Sequence, residues 1–318
     1  MILSLLAFAA PAQSQTAGMN ISYSSESPGA LPVWVAKETG LYAKNGLNVE
    51  LVRVTGNVAV MALISGDLNI GFIGGSAAIT SNLGGSDAIM VASGQVATDY
   101  SLLAHSSIKS VDQLRGKSVG VASQVGSAMT ATLHALQKHG LTRNDVSLLV
   151  VGGTPERLAA LRTGRIHATL LSPPTSFAAE REGFNILAEA NIPLPYNSVV
   201  STRRFIKQNP DVARRFIKAH LEAVHLLKTN RETGVKTLAK YLRQTKDRQL
   251  VEKSYDISTS DQILPRKQYP TVPGIKTVLE GLVKTHPRAA TARPEEFFDV
   301  GFIKEFDESG FIDALYKK

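Results

Sequence analysis

The chain repeats itself at an offset of 98 residues. Residues 60–76 read VMALISGDLNIGFIGGS and residues 158–174 read LAALRTGRIHATLLSPP, which places Ala62 on Ala160, Leu63 on Leu161, Gly66 on Gly164 and Phe72 on Leu170. Each copy reads as an amphipathic helix, a glycine, a short apolar strand and a loop of small residues, with the glycine where a helix closes on a left-handed residue. The same offset carries residues 20–24 onto 118–122, 31–43 onto 129–141, 49–52 onto 147–150, 88–91 onto 186–189 and 101–103 onto 199–201. Common helix–glycine–strand grammar explains one such likeness; one constant offset across several elements argues for two related halves. The period is too long for a solenoid, whose units run about 20–50 residues. Strands separated by crossover helices imply parallel sheets, one in each half.

After Ser201 the pattern turns helical. Asn209-Pro210-Asp211 is a helix start, with Asn as cap and Pro at the first helical position. The following Val212, Phe216, Ile217, Leu221, Val224 and Leu227 are spaced to form one buried stripe. Later helices are expected around residues 234–242, 249–255 and 274–283, with a short helical tail near the end. With 318 residues, 43% of them hydrophobic, the chain has enough apolar surface for two cores.

Composition removes several functions. There is no cysteine, so disulfides, thiolate catalysis, Cys-ligated zinc and iron–sulfur clusters are excluded. The net charge is +8, with basic residues concentrated over 203–248, but they interleave with apolar residues at helical spacing and read as a solvated helix face rather than a nucleic-acid patch. Residues 2–10 form a short apolar run followed by Ala10-Pro11-Ala12, the pattern of a secretory leader cleaved after Ala12, although no Lys or Arg precedes it. The expectation is a periplasmic protein with residues 1–12 as signal peptide.

In open parallel α/β sheets, ligands bind at the carboxyl ends of the strands. Here those ends are Ser24-Ser25, Thr55-Gly56 and Gly74-Gly75-Ser76 in the first half, and Ser123, Gly153-Thr154 and Ser172-Pro173-Pro174 in the second. All are small or hydroxylic, which lets a ligand approach backbone amides at helix starts. The segment Ser123-Gln124-Val125-Gly126-Ser127 is the best single case. Candidate ligand-binding residues are therefore Ser24, Ser25, Gly56, Gly75, Ser76, Ser123, Gly126, Ser127, Thr154, Ser172 and Pro173. Simple helix capping accounts for any one of these loops taken alone.

Other motifs fail on spacing. Gly116-Lys117-Ser118 lacks the first glycine of a phosphate loop and leads into a strand. His134/His139 and His220/His225 are five apart, the wrong spacing for a metal pair on one helix face. Trp34 reads equally as core or cleft, and Arg157, in the first turn of a helix where a cation opposes the dipole, reads as a solvated side chain. No metal or cofactor is expected.

The sequence resembles the nitrate/sulfonate/taurine class of periplasmic binding proteins of ABC importers, which are related to the thiamine-pyrimidine-synthesis fold. The resemblance rests on residues 31–42 (LPVWVAKETGLY), 46–50 (GLNVE), 62–68 (ALISGDL), 110–126 and Asn209-Pro210-Asp211-Val212. His167 stands where that family usually has an acidic residue. The resemblance implies a type II periplasmic-binding-protein fold: two α/β lobes joined by two hinge strands, at residues 100–105 and 197–201, with a C-terminal helical return. It assigns residues 18–105 plus 200–318 to one lobe and 106–199 to the other. It further implies a monomer, not an enzyme, that captures a small organic anion or heterocycle and delivers it to a membrane permease and its ATPase. Enzymes on the same fold and sensor-linked binding subunits remain the alternatives.

Overall fold

The computed structural model of the protein describes residues 17–54, 56–243 and 247–317; the expected leader lies outside the described residues. The first half runs β1 (Ala17–Tyr23), α1 (Leu31–Glu38), α2 (Leu41–Lys44), β2 (Leu47–Arg53), α3 (Gly56–Ser65), β3 (Ile70–Ile73), α4 (Gly75–Leu83), β4 (Ala88–Ser93) and β5 (Tyr100–Ala104). The second runs β6 (Ser118–Val121), α5 (Ser127–Lys138), β7 (Ser147–Val150), α6 (Thr154–Arg162), β8 (Ala168–Leu171), α7 (Thr175–Arg181), β9 (Asn185–Ala190) and β10 (Ser198–Thr202).

The offset of 98 holds at the level of elements. It superimposes both ends of β3 on β8 and both ends of β5 on β10, and it carries the start of α3 onto the start of α6. The turn glycines match in conformation as well as position. Gly66 and Gly164 have φ of +92° and +71°, and Gly85 and Gly183 have +97° and +88°, values that only glycine adopts without strain. The copies part after α1: Gly40 at φ +72° separates it from α2, whereas the corresponding residues 139–142 after α5 form no helix.

Each half contributes to a five-stranded sheet, ordered β2-β1-β3-β10-β4 and β7-β6-β8-β5-β9. The halves exchange their last strands. β5 runs antiparallel between β8 and β9, and β10 antiparallel between β3 and β4. This corrects two expectations. Residues 100–104 belong with the second sheet rather than the first lobe, and the strands at 100–104 and 198–202 are fully buried sheet members rather than the crossings. The chain crosses just before them, at residues 94–99 and 191–197. These segments pair with each other: the Thr98 amide donates to the Ile192 carbonyl (3.0 Å) and the Leu194 amide to the Val96 carbonyl (3.0 Å). Each crossing leaves the edge strand of one sheet, β4 or β9, and enters an interior position of the other.

The return is helical: α8 (Arg203–Gln208), α9 (Pro210–Thr229), α10 (Arg231–Tyr241), α11 (Arg248–Ser258), α12 (Val272–Leu282), α13 (Gly301–Glu308) and α14 (Phe311–Leu315). Pro210 at the first helical position starts α9, which buries Phe216, Ile217, Leu221, Val224 and Leu227 against α1. Trp34 lies in this layer, fully buried and stacked on Tyr241 at 4.6 Å, so it is a core residue. α12 packs on α4 of the first half and α5 of the second, so Ile275, Val278 and Leu279 join one hydrophobic cluster that spans both sheets.

Candidate functional site

The carboxyl ends of the parallel strands of both sheets meet at a seam. Between them lies a cleft of about 550 Å³, counting the part open to solvent. Seven of the eleven residues expected from sequence line it: Ser24, Ser25, Gly56, Ser123, Gly126, Ser127 and Thr154. Thr55, in one of the expected loops, lies outside the described residues.

Gly75, Ser76, Ser172 and Pro173 are buried beside the cleft instead. The Gly75 amide donates to the Pro195 carbonyl (2.8 Å), and a Cβ there would press on Met90, Pro195 and Ser198. The lining residue of that loop is Gly74, one position earlier. Amides 75–77 are therefore poor anion donors, since the Ala77 amide also donates to the Gly74 carbonyl (3.0 Å).

The lobes touch through reciprocal positions. A Cβ on Gly56 would stand 2.7 Å from Ser123 Oγ, and one on Gly153 would stand 3.6 Å from the Ser25 Cβ. Shifting Ser25 and the residue before Gly56 by 98 gives Ser123 and Gly153, so the seam has local two-fold character. Ser25 faces Gly153, not Ser123 as a same-position pairing would have it. Gly74 meets Ser127 in the same manner, at 2.7 Å to Oγ and 2.9 Å to N. Only residues without side chains allow this approach. Arg53 closes the rim by donating to Glu156 of the opposite lobe (2.6 Å).

None of the serines caps a helix. α4, α5 and α6 start from Gly74, Gly126 and Gly153, none with a side-chain cap. Ser127 Oγ donates to the Pro195 carbonyl (3.0 Å), and Ser123 Oγ to the Val125 carbonyl. Among the described residues, the Ser127 and Ala128 amides at the start of α5 meet no protein acceptor. Unfilled donors at a helix start favour negative charge.

The decisive residue was misjudged from sequence. Arg157 is not solvated: it is 2% exposed, and among the described residues it is the sole charged side chain lining the cleft. Nε and one terminal nitrogen donate to the Leu170 carbonyl (3.2 and 3.1 Å), and the other donates to the Gly152 carbonyl (2.8 Å). These bonds fix the guanidinium, yet no carboxylate among the described residues lies within salt-bridge distance of it. A buried charge with no counter-ion is costly unless something pairs with it. Sequence also missed Tyr100, the first residue of β5, and Tyr196 and Asn197 from the second crossing. The two tyrosine rings pack edge-on at 5.1 Å. Burial raises the Tyr100 hydroxyl above its usual range while Arg157 beside it pulls the other way. Burial, then Tyr100, holds Tyr196 well above that range.

The sequence profile of the NMT1-like family matches residues 12–242, most of the chain. The chain belongs to the NMT1-like family. Its relatives there are binding proteins by name: one from Brucella abortus (strain 2308) is 26% identical over 235 residues, covering 72% of each chain. A periplasmic binding protein of an ABC transporter from Brachyspira hyodysenteriae is 32% identical over 120 residues, 37% of this chain and 34% of its own. The fold matches the alkanesulfonate-binding protein SsuA of Xanthomonas axonopodis pv. citri bound to MOPS, with a TM-score of 0.72 at 20% identity over 87% of this chain and 95% of that one. The NMT1-like chain thus has the two-lobed α/β fold of periplasmic binding proteins. No helix among its described residues is long and apolar enough to cross a membrane.

Proposed function

We propose that this protein is the extracytoplasmic solute-binding component of an ABC importer, and that its solute is a small organic anion held between the lobes. One observation carries the reading: among the described residues, the cleft is lined by a buried arginine and by no carboxylate. The solute's anionic group completes the ion pair that Arg157 lacks, assisted by the free amides at the start of α5. Its uncharged body lies against Ala77, Ala128 and the tyrosine rings.

Among the described residues the lining supplies neither histidine nor carboxylate as a general base, and the chain has no cysteine nucleophile, which favours capture over chemistry. Delivery requires release, and a ligand that touches both lobes shifts them toward closure while bound. The names of the relatives support import as the destination, with a membrane permease and ATPase as partners and the periplasm as the compartment.

Thermal-shift screening of the protein against sulfonates, carboxylates, nitrate, amino acids and uncharged pyrimidines tests this. A true ligand at a hundred times its Kd adds about 2.7 kcal/mol of stability. Shifts are expected with organic monoanions; a response confined to cations or neutral heterocycles refutes the anion assignment.

A further inference from the structure

The far pole of the second lobe, away from the cleft, gathers six exposed cations: Lys109, Arg115, Lys117, Lys138, Arg143 and Arg165. The backbone brings them to one surface. The segments entering β6, β7 and β8 are laced together there, the His167 amide donating to the Ser118 carbonyl (2.8 Å) and the Ser147 amide to the Lys117 carbonyl (2.8 Å). Lys109 reaches Asn185 at the start of β9 (3.3 Å), and Arg115 reaches the Gly140 carbonyl after α5 (3.3 Å). Two carboxylates share the pole, Asp112 and Asp145, leaving a local charge of about +4.

Ion pairing is sparse at this pole. Many cations elsewhere are tied to acids, as in Arg162–Glu182, Arg214–Glu305, Arg231–Asp256 and Arg248–Glu252. At the pole, Arg115–Asp145 is the one ion pair among the described residues. The remaining five cations have no acid within reach, and their neighbours are hydroxyls and amides: Ser106, Ser107, Gln113, Thr142 and Asn144. The surface is built from the turns that enter the strands, and among the described residues there no aromatic ring is fully exposed to stack a base.

We propose that this pole is an electrostatic docking surface for anionic phospholipid headgroups, holding the protein reversibly at a membrane. Diffuse, largely unpaired positive charge suits a sheet of negative charge, and such contacts are additive and salt-sensitive. The choice of a membrane rather than another polyanion rests on the import reading. Concentrating the loaded protein beside the bilayer raises its rate of encounter with a permease.

The test is co-sedimentation of the full chain with phosphatidylethanolamine vesicles, with and without phosphatidylglycerol, over a range of salt. The protein should partition onto the anionic vesicles alone, and salt should release it. The variant Lys117→Gln/Arg143→Gln/Arg165→Gln should lose about fivefold per charge, near a hundredfold in all. The control Lys236→Gln/Lys276→Gln/Lys284→Gln, of equal charge change on the helical return, should bind as the wild type does. Calorimetry with the screened solute, unchanged in the pole variant, shows that it is folded and separates this proposal from the solute-binding one. No preference for anionic vesicles, or equal losses in both variants, overturns the pole. Tighter capture by heparin or DNA than by vesicles at matched salt assigns it to another polyanion and overturns the membrane.

Discussion

At the scale of single residues, two buried groups carry charge into places that resist it. Arg157 does so at the cleft; Asp99 does so in the crossing, where the Ser258 hydroxyl donates to one carboxylate oxygen (3.1 Å) and the other has no partner among the described residues. Burial pushes the Asp99 carboxyl up to about 6 from its ordinary 3.8. Between those values the folded chain keeps the proton and the unfolded chain releases it. The stability contribution is therefore complete below the unfolded value and is lost as pH rises through about 6. Urea denaturation should show the wild type losing stability relative to Asp99→Asn from about pH 4 to about pH 7, with Asn the more stable at neutral pH. A constant difference across that window means that Asp99 titrates normally. The contact glycines act by absence of bulk. Gly74→Val places side-chain atoms against Ser127 backbone in the opposite lobe, so solute affinity should fall tenfold or more, roughly 1.4 kcal/mol, while far-ultraviolet circular dichroism stays native. Unchanged affinity in calorimetry would mean that the bound lobes stand farther apart than here.

At the scale of elements, what the sequence made legible is what repeats. Gly66/Gly164 and the apolar strands after them were readable because a helix end, a left-handed turn and a buried strand each demand a residue type. The exchange of β5 and β10 was not readable. Both are short apolar strands, and nothing in LLA or VVS states which sheet they enter; that is fixed by non-local pairing. The site followed the same division. Ser25, Ser123 and Gly126 sit on loops that local grammar places at strand ends, whereas Arg157, Tyr100 and Tyr196 gain their role from burial, a tertiary property. Gly75 failed for a different reason: a run of two glycines leaves the facing one ambiguous by one residue. Helix packing gives its own test. Gly234 of α10 faces the Tyr255 ring of α11, and a Cβ would run into that ring. Gly234→Ala should cost about 1–3 kcal/mol by overpacking, although alanine is the better helix former. A denaturation midpoint equal to or above wild type would show that Tyr255 moves aside freely.

At the scale of the whole molecule, two lobes share one hydrophobic cluster on the α12 side and meet through glycine and serine on the other. The first contact resists separation; the second is thin enough to open. On the proposed reading, closure is governed by what fills the cleft, and the buried guanidinium selects a filler of negative charge. The most direct test is calorimetry of Arg157→Gln with the anion identified by screening and with its uncharged amide analogue. The account predicts that the variant loses ten- to a hundredfold in affinity for the anion, about 1.5–3 kcal/mol, and little for the amide. Equal affinities of wild type and variant for the anion, or equal losses for anion and amide, would contradict it.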